Sequence, residues 1–255
     1  MIACGRIPHV ELTTIFRQAA QSRIVTVAHD IMSGTVPVFS NEKTSNCFFI
    51  HEEEPEHCLA TVIDLVKNRL PRTFGFDPVF DIQVLSPMHR GSLGTQNLNR
   101  ALQTALSSGE KKLIRGETTF CVGDRVMQIR NNYDRGVFNG DIGYVVDCTS
   151  ESELSVDFDG QAVRYEIKEL DELVHAYCIS IHKSQGCEFK AVVIILMTHH
   201  YILLQRNLLY TAVTRAKQLC VLIGMPRALA IAVDNNEAFH RYSRLSQRIG
   251  QGSRP

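Results

Sequence analysis

The 255 residues are 44% hydrophobic and 21% charged, which suits a globular chain with one large domain or two smaller ones. Lysine plus arginine and aspartate plus glutamate stand at 27 each, so any groove for a polyanion must come from local placement of charge. The eight cysteines form no C-x-x-C pair and have no histidine cluster at ligand spacing, which argues against a zinc site or a disulfide framework. Scattered thiols, and no apolar run approaching ~18 residues, lead to the expectation of a cytoplasmic protein without membrane contact and without a metal of its own.

In chain order, residues 9–33 predict a short extended start and then a helix. Ile24, Val27, Ala28 and Ile31 recur at helical spacing, and Gly34 with Pro37 ends the run. The polar stretch 51–57 (HEEEPEH) reads as a loop, and 58–70 as an amphipathic helix. Asp81–Ser86 (DIQVLS) is a buried strand of parallel-sheet type ending at Pro87, and Thr95–Ser107 a helix after a glycine-containing turn. From Glu117 the pattern changes to short alternating segments (FCVGDRVMQIR, DIGYVVDC, LSVDF, AVRYEI) separated by NGDIG and DFDGQ, the spacing of a small antiparallel barrel. Buried strands return at Tyr177–Ser180 and Val192–Met197. A helix over Gln205–Ala216 and a last strand over Leu219–Gly224 follow, and the tail QGSRP reads as loose.

Four segments stand out: LTTIFRQA with Arg17 and Gln18, SPMHRGSLGT with Thr95, SIHKSQGCEF with His182, Ser184, Gly186 and Glu188, and LYTAVTRAK with Arg215. Each alone has an ordinary reading, as an ion-paired arginine on a helix, turn glycines, or a polar connection. Their chemistry nevertheless converges. Strand-to-helix turns gather backbone N–H groups for ligands, and a polar loop between two apolar strands suits phosphate or backbone binding. An arginine on a small, apolar helix is either a buried ion pair or a charge aimed at an anion.

Taken together and in this order, with GDRVMQIRNNYDRGVFNGDIG between them, these segments resemble the C-terminal half of superfamily-one DNA helicases of the RecD/TraA branch. That branch includes the exodeoxyribonuclease V alpha-subunit-like proteins of DNA repair and recombination. The resemblance spans roughly residues 5–248 and implies an α/β fold: a second RecA-like domain, of the P-loop NTPase type, with a small SH3-like antiparallel β-barrel inserted. The expected division is 1–115 and 175–255 for the RecA-like part and 117–172 for the insert. By resemblance, Arg17 and Arg215 are the arginine fingers for ATP, while Gln18, Gly186 and Glu188 line the nucleotide side. Thr95, His182 and Ser184 fall in segments used on the single-stranded DNA path, and travel is 5′ to 3′.

No Gly-Lys dipeptide occurs, so the phosphate-binding loop is lacking, and Asp171-Glu172 does not follow a buried strand as magnesium-holding carboxylates would. The expectation is therefore a fragment whose parent binds ATP with Mg²⁺, whose missing partner is an N-terminal RecA-like domain, and which alone binds no cofactor and is inactive. Two other readings stay open, a nucleic-acid-binding or partner-docking module and the helicase end of a conjugative relaxase. Arg17 and Arg215 speak against the first, because a docking module has no use for them.

Overall fold

A strand buried on both faces needs an unbroken apolar run, and Phe189–Leu196 supplies one, with only Lys190 exposed. The structure is a computed structural model and describes residues 22–236, apart from 41, 43, 108–110 and 151–152, together with residues 8 and 10. Arg17, Gln18, the extended start expected before Ser22 and the QGSRP tail lie outside the described residues.

The first part of the chain forms α1 (Arg23–Ser33), β1 (Cys47–His51), α2 (Pro55–Asp64), a π-helical turn at Leu65–Arg69, α3 (Leu70–Phe74), β2 (Ile82–Ser86) and α4 (Thr95–Leu106). Seven antiparallel strands follow: β3 (Lys112–Arg115), β4 (Thr118–Cys121), β5 (Arg125–Gln128), β6 (Ile142–Ser150), β7 (Glu153–Phe158), β8 (Gln161–Glu166) and β9 (Leu173–His175). The last part forms β10 (Cys178–Ser180), β11 (Phe189–Leu196), α5 (Arg206–Val213), β12 (Ala216–Gly224) and α6 (Pro226–Asp234).

Two sheets result. The main one is parallel, in the order β1-β12-β11-β2-β10, so the segments on either side of the antiparallel strands build one sheet. Side chains alternate across it as strand geometry requires. Val192, Ile194 and Leu196 join Cys220 and Leu222 under α1, α5 and α6, whereas Ala191, Val193 and Ile195 join Leu219, Val221 and Ile223 under α2 and α4. The second sheet runs β8-β7-β6-β5-β9 with the β3–β4 hairpin beside it, and has its own core of Leu113, Phe120, Val126, Val145, Leu154, Val156 and Tyr165. No helix among the described residues is long and apolar enough to cross a membrane.

Two expected bounds differ in ways that matter for the site. The helix expected to reach Ala216 stops at Val213, where the Thr214 hydroxyl donates back to the Tyr210 and Thr211 carbonyls and Ala216 pairs with Phe189. The loop expected at 51–57 gives way at Pro55 to the first turn of α2, where a proline needs no N–H partner.

Candidate functional site

The predicted residues gather at the two opposite edges of the main sheet. β2 and β10 end in register, Ser86 beside Ser180, so the turns that follow them leave from one edge. β11 and β12 begin in register, Phe189 beside Ala216, so the residues just before them enter at the other.

At the first edge the 87–94 turn is held from within. Ser86 Oγ donates to the Leu93 carbonyl at 2.7 Å, and the Thr95 and Gln96 amides donate to the Met88 and His89 carbonyls. Gly94 is required there, because a Cβ would stand 2.4 Å from the Arg90 carbonyl oxygen. Thr95 is buried, with its hydroxyl 2.8 Å from His89 Nδ1. It therefore holds the turn, in which His89, Arg90 and Ser92 are exposed, His89 and Arg90 being the larger and basic ones.

The neighbouring turn after β10 is tied to it by the Ile181 amide, which donates to the Ser86 carbonyl. Here His182 and Lys183 are exposed, and partial burial lowers the Lys183 ammonium from its usual value. Ser184 is fully buried, its hydroxyl donating to the Ile181 carbonyl at 2.7 Å. Ser184, like Thr95, thus faces inward and positions the loop rather than a ligand.

Residues 181–188 then run back along the sheet, since Ser180 lies beside Ser86 at one end and β11 meets Ile82 at the other. Gly186 takes φ +88°, the left-handed region that favours glycine. At the second edge the Phe189 amide donates to the Arg215 carbonyl, and Arg215 Nη1 donates back to the Cys187 carbonyl at 2.9 Å. Arg215 Nε and Nη2 donate to the Thr211 carbonyl and the Thr214 hydroxyl, so the guanidinium is fixed in the turn after α5 rather than on the helix. Burial pushes the Cys187 thiol up, against the pull of the Arg215 charge. Glu188 pairs with Lys217 at 3.1 Å. Gly186, Glu188 and Arg215 thus lie toward one edge, and His182 sits at the other.

The dipeptide Asp124-Arg125 has a larger role than its place in an alternating segment suggested. Asp124 is fully buried and accepts from the Cys121 amide (2.8 Å), Gln103 Nε2 (2.5 Å) and the Tyr177 hydroxyl (2.9 Å), with His175 Nε2 at 3.2 Å. That negative charge, behind the larger effect of burial, pushes the Tyr177 phenol far above its ordinary range. Arg125, buried as well, donates to the Val79 and Ile82 carbonyls and lies over the rings of Phe189 (5.4 Å) and Tyr144 (5.9 Å). It joins the antiparallel sheet to the strand starts of the parallel one. A cleft of about 490 Å³ opens beside it, lined by Phe80, Tyr144, Glu188, Lys217 and the Asp81–Lys190 pair. A charged pair within an apolar alternation was the available signal. Among the described residues no three His, Cys, Asp or Glu side chains are placed to hold a metal ion.

Comparison with known proteins agrees with this architecture. Residues 98–158 match the model of the ATP-dependent RecD-like DNA helicase SH3 domain, and 175–223 that of the UvrD-like helicase C-terminal domain. The chain is 34% identical over 225 residues to the ATP-dependent RecD2 DNA helicase of Deinococcus radiodurans, covering 88% of this chain and 30% of that protein. It is 33% identical over 137 residues to the RecBCD enzyme subunit RecD of Haemophilus influenzae, covering 54% and 20%. It therefore spans less than a third of these relatives. Among solved structures, a Bacteroides Pif1 helicase in complex with ADP-AlF3 and ssDNA superposes with TM-score 0.53 at 17% identity, over 95% of this chain and 57% of that one. A Pif1 helicase from a forked-dsDNA complex gives 0.50 at 19%, over 95% and 55%. At such identities the likeness is one of fold alone.

Proposed function

We propose that this chain, whose sequence and fold are those of the C-terminal part of a RecD-like superfamily-one helicase, works as the second half of an ATP-dependent DNA motor. The observation that carries this is the pair of edges: exposed His89, Arg90, His182 and Lys183 on one, and Arg215 with Gly186 and Glu188 on the other, joined by the 181–188 segment. A motor must hold a strand at one place and a nucleotide at another, with something stiff between them.

In this reading Arg215, together with Arg17 outside the described residues, delivers a guanidinium to the γ-phosphate of ATP held by a separate N-terminal RecA-like domain. Phosphoryl transfer spreads negative charge over the transferred group, and a preorganised cation lowers its energy without reorganising at the moment of reaction. Three hydrogen bonds fix the Arg215 guanidinium, to the Thr211 carbonyl of α5, the Thr214 hydroxyl and the Cys187 carbonyl, which is preorganisation of this kind. Gly186, Glu188 and Gln18 line the nucleotide side. His182 touches single-stranded DNA directly, while Thr95 and Ser184 shape the turns that present it. The division into a body (1–115 and 175–255) and an insert (117–172) and 5′-to-3′ travel belong to the same proposal. In this reading the separate domain holds the Mg²⁺-ATP, since this sequence has no Gly-Lys dipeptide for a phosphate-binding loop, and this chain contributes charge and geometry to hydrolysis.

The test is Arg215→Ala in a reading frame that also carries a phosphate-binding loop. DNA-stimulated kcat is expected to fall roughly 10³-fold or more with nucleotide binding retained. His182→Ala is expected to weaken stimulation by DNA and to spare basal nucleotide binding. Normal turnover by the Arg215 variant would remove it from the site.

A further inference from the structure

The antiparallel sheet is seated on the end of the parallel one that carries Arg215. Met127 of β5 and Ile142 of β6 pack in the core that holds Phe189 and Ala216, the first residues of β11 and β12. Beside them stands Arg125, 2% exposed. Its Nη1 donates to the Val79 and Ile82 carbonyls at 2.8 and 3.1 Å, and its guanidinium lies over the rings of Phe189 and Tyr144. Phe80 in turn lies against Tyr144, with ring centroids 4.3 Å apart.

A buried cation is ordinarily matched by a buried acid, because an unmatched one costs more than an apolar side chain of similar volume. Arg125 has no such match among the described residues. Its Nε has no partner, and the one carboxylate whose charge reaches it, Asp81, is bonded to Lys190 at 2.8 Å. An arginine kept at such a place is kept for its shape. A guanidinium is flat, so it can donate to two carbonyls and lie over two rings at once, which the point charge of a lysine on its flexible stem cannot do. What it fixes is the start of β11. The Phe189 amide donates to the Arg215 carbonyl, and two residues earlier the Cys187 carbonyl accepts from Arg215 Nη1 at 2.9 Å. A shift of the Phe189 ring therefore moves the backbone to which both the carbonyl and the guanidinium of Arg215 are tied.

We propose that Arg125 is a positioning residue for Arg215: it holds the Phe189 ring and, through it, the 187–189 backbone, so that the antiparallel sheet sets the geometry of the nucleotide edge. This rests on the reading of Arg215 given above. Two measurements test it. In the 255-residue chain, Arg125→Lys keeps the charge and loses the flat guanidinium. Amide exchange followed by NMR should then speed up about 10-fold at Phe189 and stay as in wild type at Val193 and Ile194 in the middle of β11, because a local opening leaves the rest of a sheet protected. In a reading frame that also carries a phosphate-binding loop, the same variant should lower DNA-stimulated kcat about 10- to 100-fold and leave KM for ATP within about 2-fold, as a misplaced group does and a lost binding contact does not. Phe189→Leu, which leaves Arg125 in place and removes the ring, should do the same, and it carries both measurements if Arg125→Lys does not fold. On an Arg215→Ala background neither variant should slow the residual phosphate release further, because residues acting as one unit do not add. An unchanged Phe189 amide, faster exchange along the whole of β11, an unchanged kcat, or an equal loss of kcat with and without Arg215 overturns the positioning role and lets the nucleotide reading stand. Normal turnover by Arg215→Ala overturns both.

Discussion

Asp124→Asn isolates the polar hub between the two sheets, because it removes a charge without removing volume. In wild type the carboxylate accepts from the Cys121 amide, Gln103 Nε2 and the Tyr177 hydroxyl, drawing together the β4–β5 turn, α4 and the chain entering β10. The amide has one oxygen. Its best orientation places that oxygen toward Cys121 and Gln103 and turns the NH₂ toward Tyr177, whose hydroxyl must then accept. Each bond falls from a charge-assisted value of about 1.5–3 kcal/mol to a neutral one of about 0.5–1.5 kcal/mol. Three such changes sum to about 3 kcal/mol, and relief from burying an ion offsets part of that, leaving roughly 2–3 kcal/mol. For a chain of this size the melting midpoint should drop by about 5–10 °C at neutral pH, followed by circular dichroism. Tyr177→Phe, which deletes one donor, should lower it by less. An Asp124→Asn protein melting within about 2 °C of wild type would show that the three donors do not depend on the charge, and the hub would lose its assigned role.

Gly94→Ala drives a Cβ into the Arg90 carbonyl at 2.4 Å, so the 87–94 turn must open. A loss of about 1–3 kcal/mol is expected in denaturant titration, together with weaker oligonucleotide binding as His89 and Arg90 are displaced, and neither should be seen if the turn is freely adaptable. Burial, helped by neighbouring His199, lowers the His200 imidazole to about 4. Its folded-state value lies below the ordinary one near 6.5, so the unfolded chain takes up the proton first. Stability is then complete above about pH 6.5 and is lost as pH falls toward 4, by up to about 3 kcal/mol. His200→Gln should flatten that loss, and an unchanged acid profile in this variant would assign the effect elsewhere.

The central strands were legible because burial on both faces leaves a one-dimensional trace: AVVIIL and DIQVLS have nowhere to place a polar residue. β1 was not, because CFFIH is five residues at a sheet edge beside a polar loop, and only its pairing with β12, far along the chain, makes it a strand. β3 and β9 are three or four residues long and depend in the same way on distant partners. α6 did carry a signal, a proline in its first turn and Ala228, Leu229, Ala232 and Val233 on one face. At the site the segments were legible as a set, but not which way each residue points. Thr95 and Ser184 look like donors for a ligand, yet both hydroxyls close hydrogen bonds inside their own turns. The exposed groups are their neighbours His89, Arg90 and Lys183, and no pattern in the linear string separates a hydroxyl that caps its own loop from one that waits for a partner.

The register of β11 between β12 and β2 has a mechanical consequence. Its eight residues span roughly 23 Å at the usual rise per residue, bonded to β12 along most of that length and to β2 over Ala191–Ile194. In the proposed motor, a load applied at the His182 edge and resisted at the Arg215 edge acts along the strand axes. Parallel strands loaded this way slide against one another, so their hydrogen bonds share the force together instead of unzipping in turn. The sheet therefore behaves as a stiff push-rod, and a rotation at the Arg215 edge reaches the opposite edge without being absorbed by stretching. Beside it, the 181–188 segment is tied down at both ends, the Ile181 amide to the Ser86 carbonyl and the Cys187 carbonyl to Arg215, and so moves with the strands.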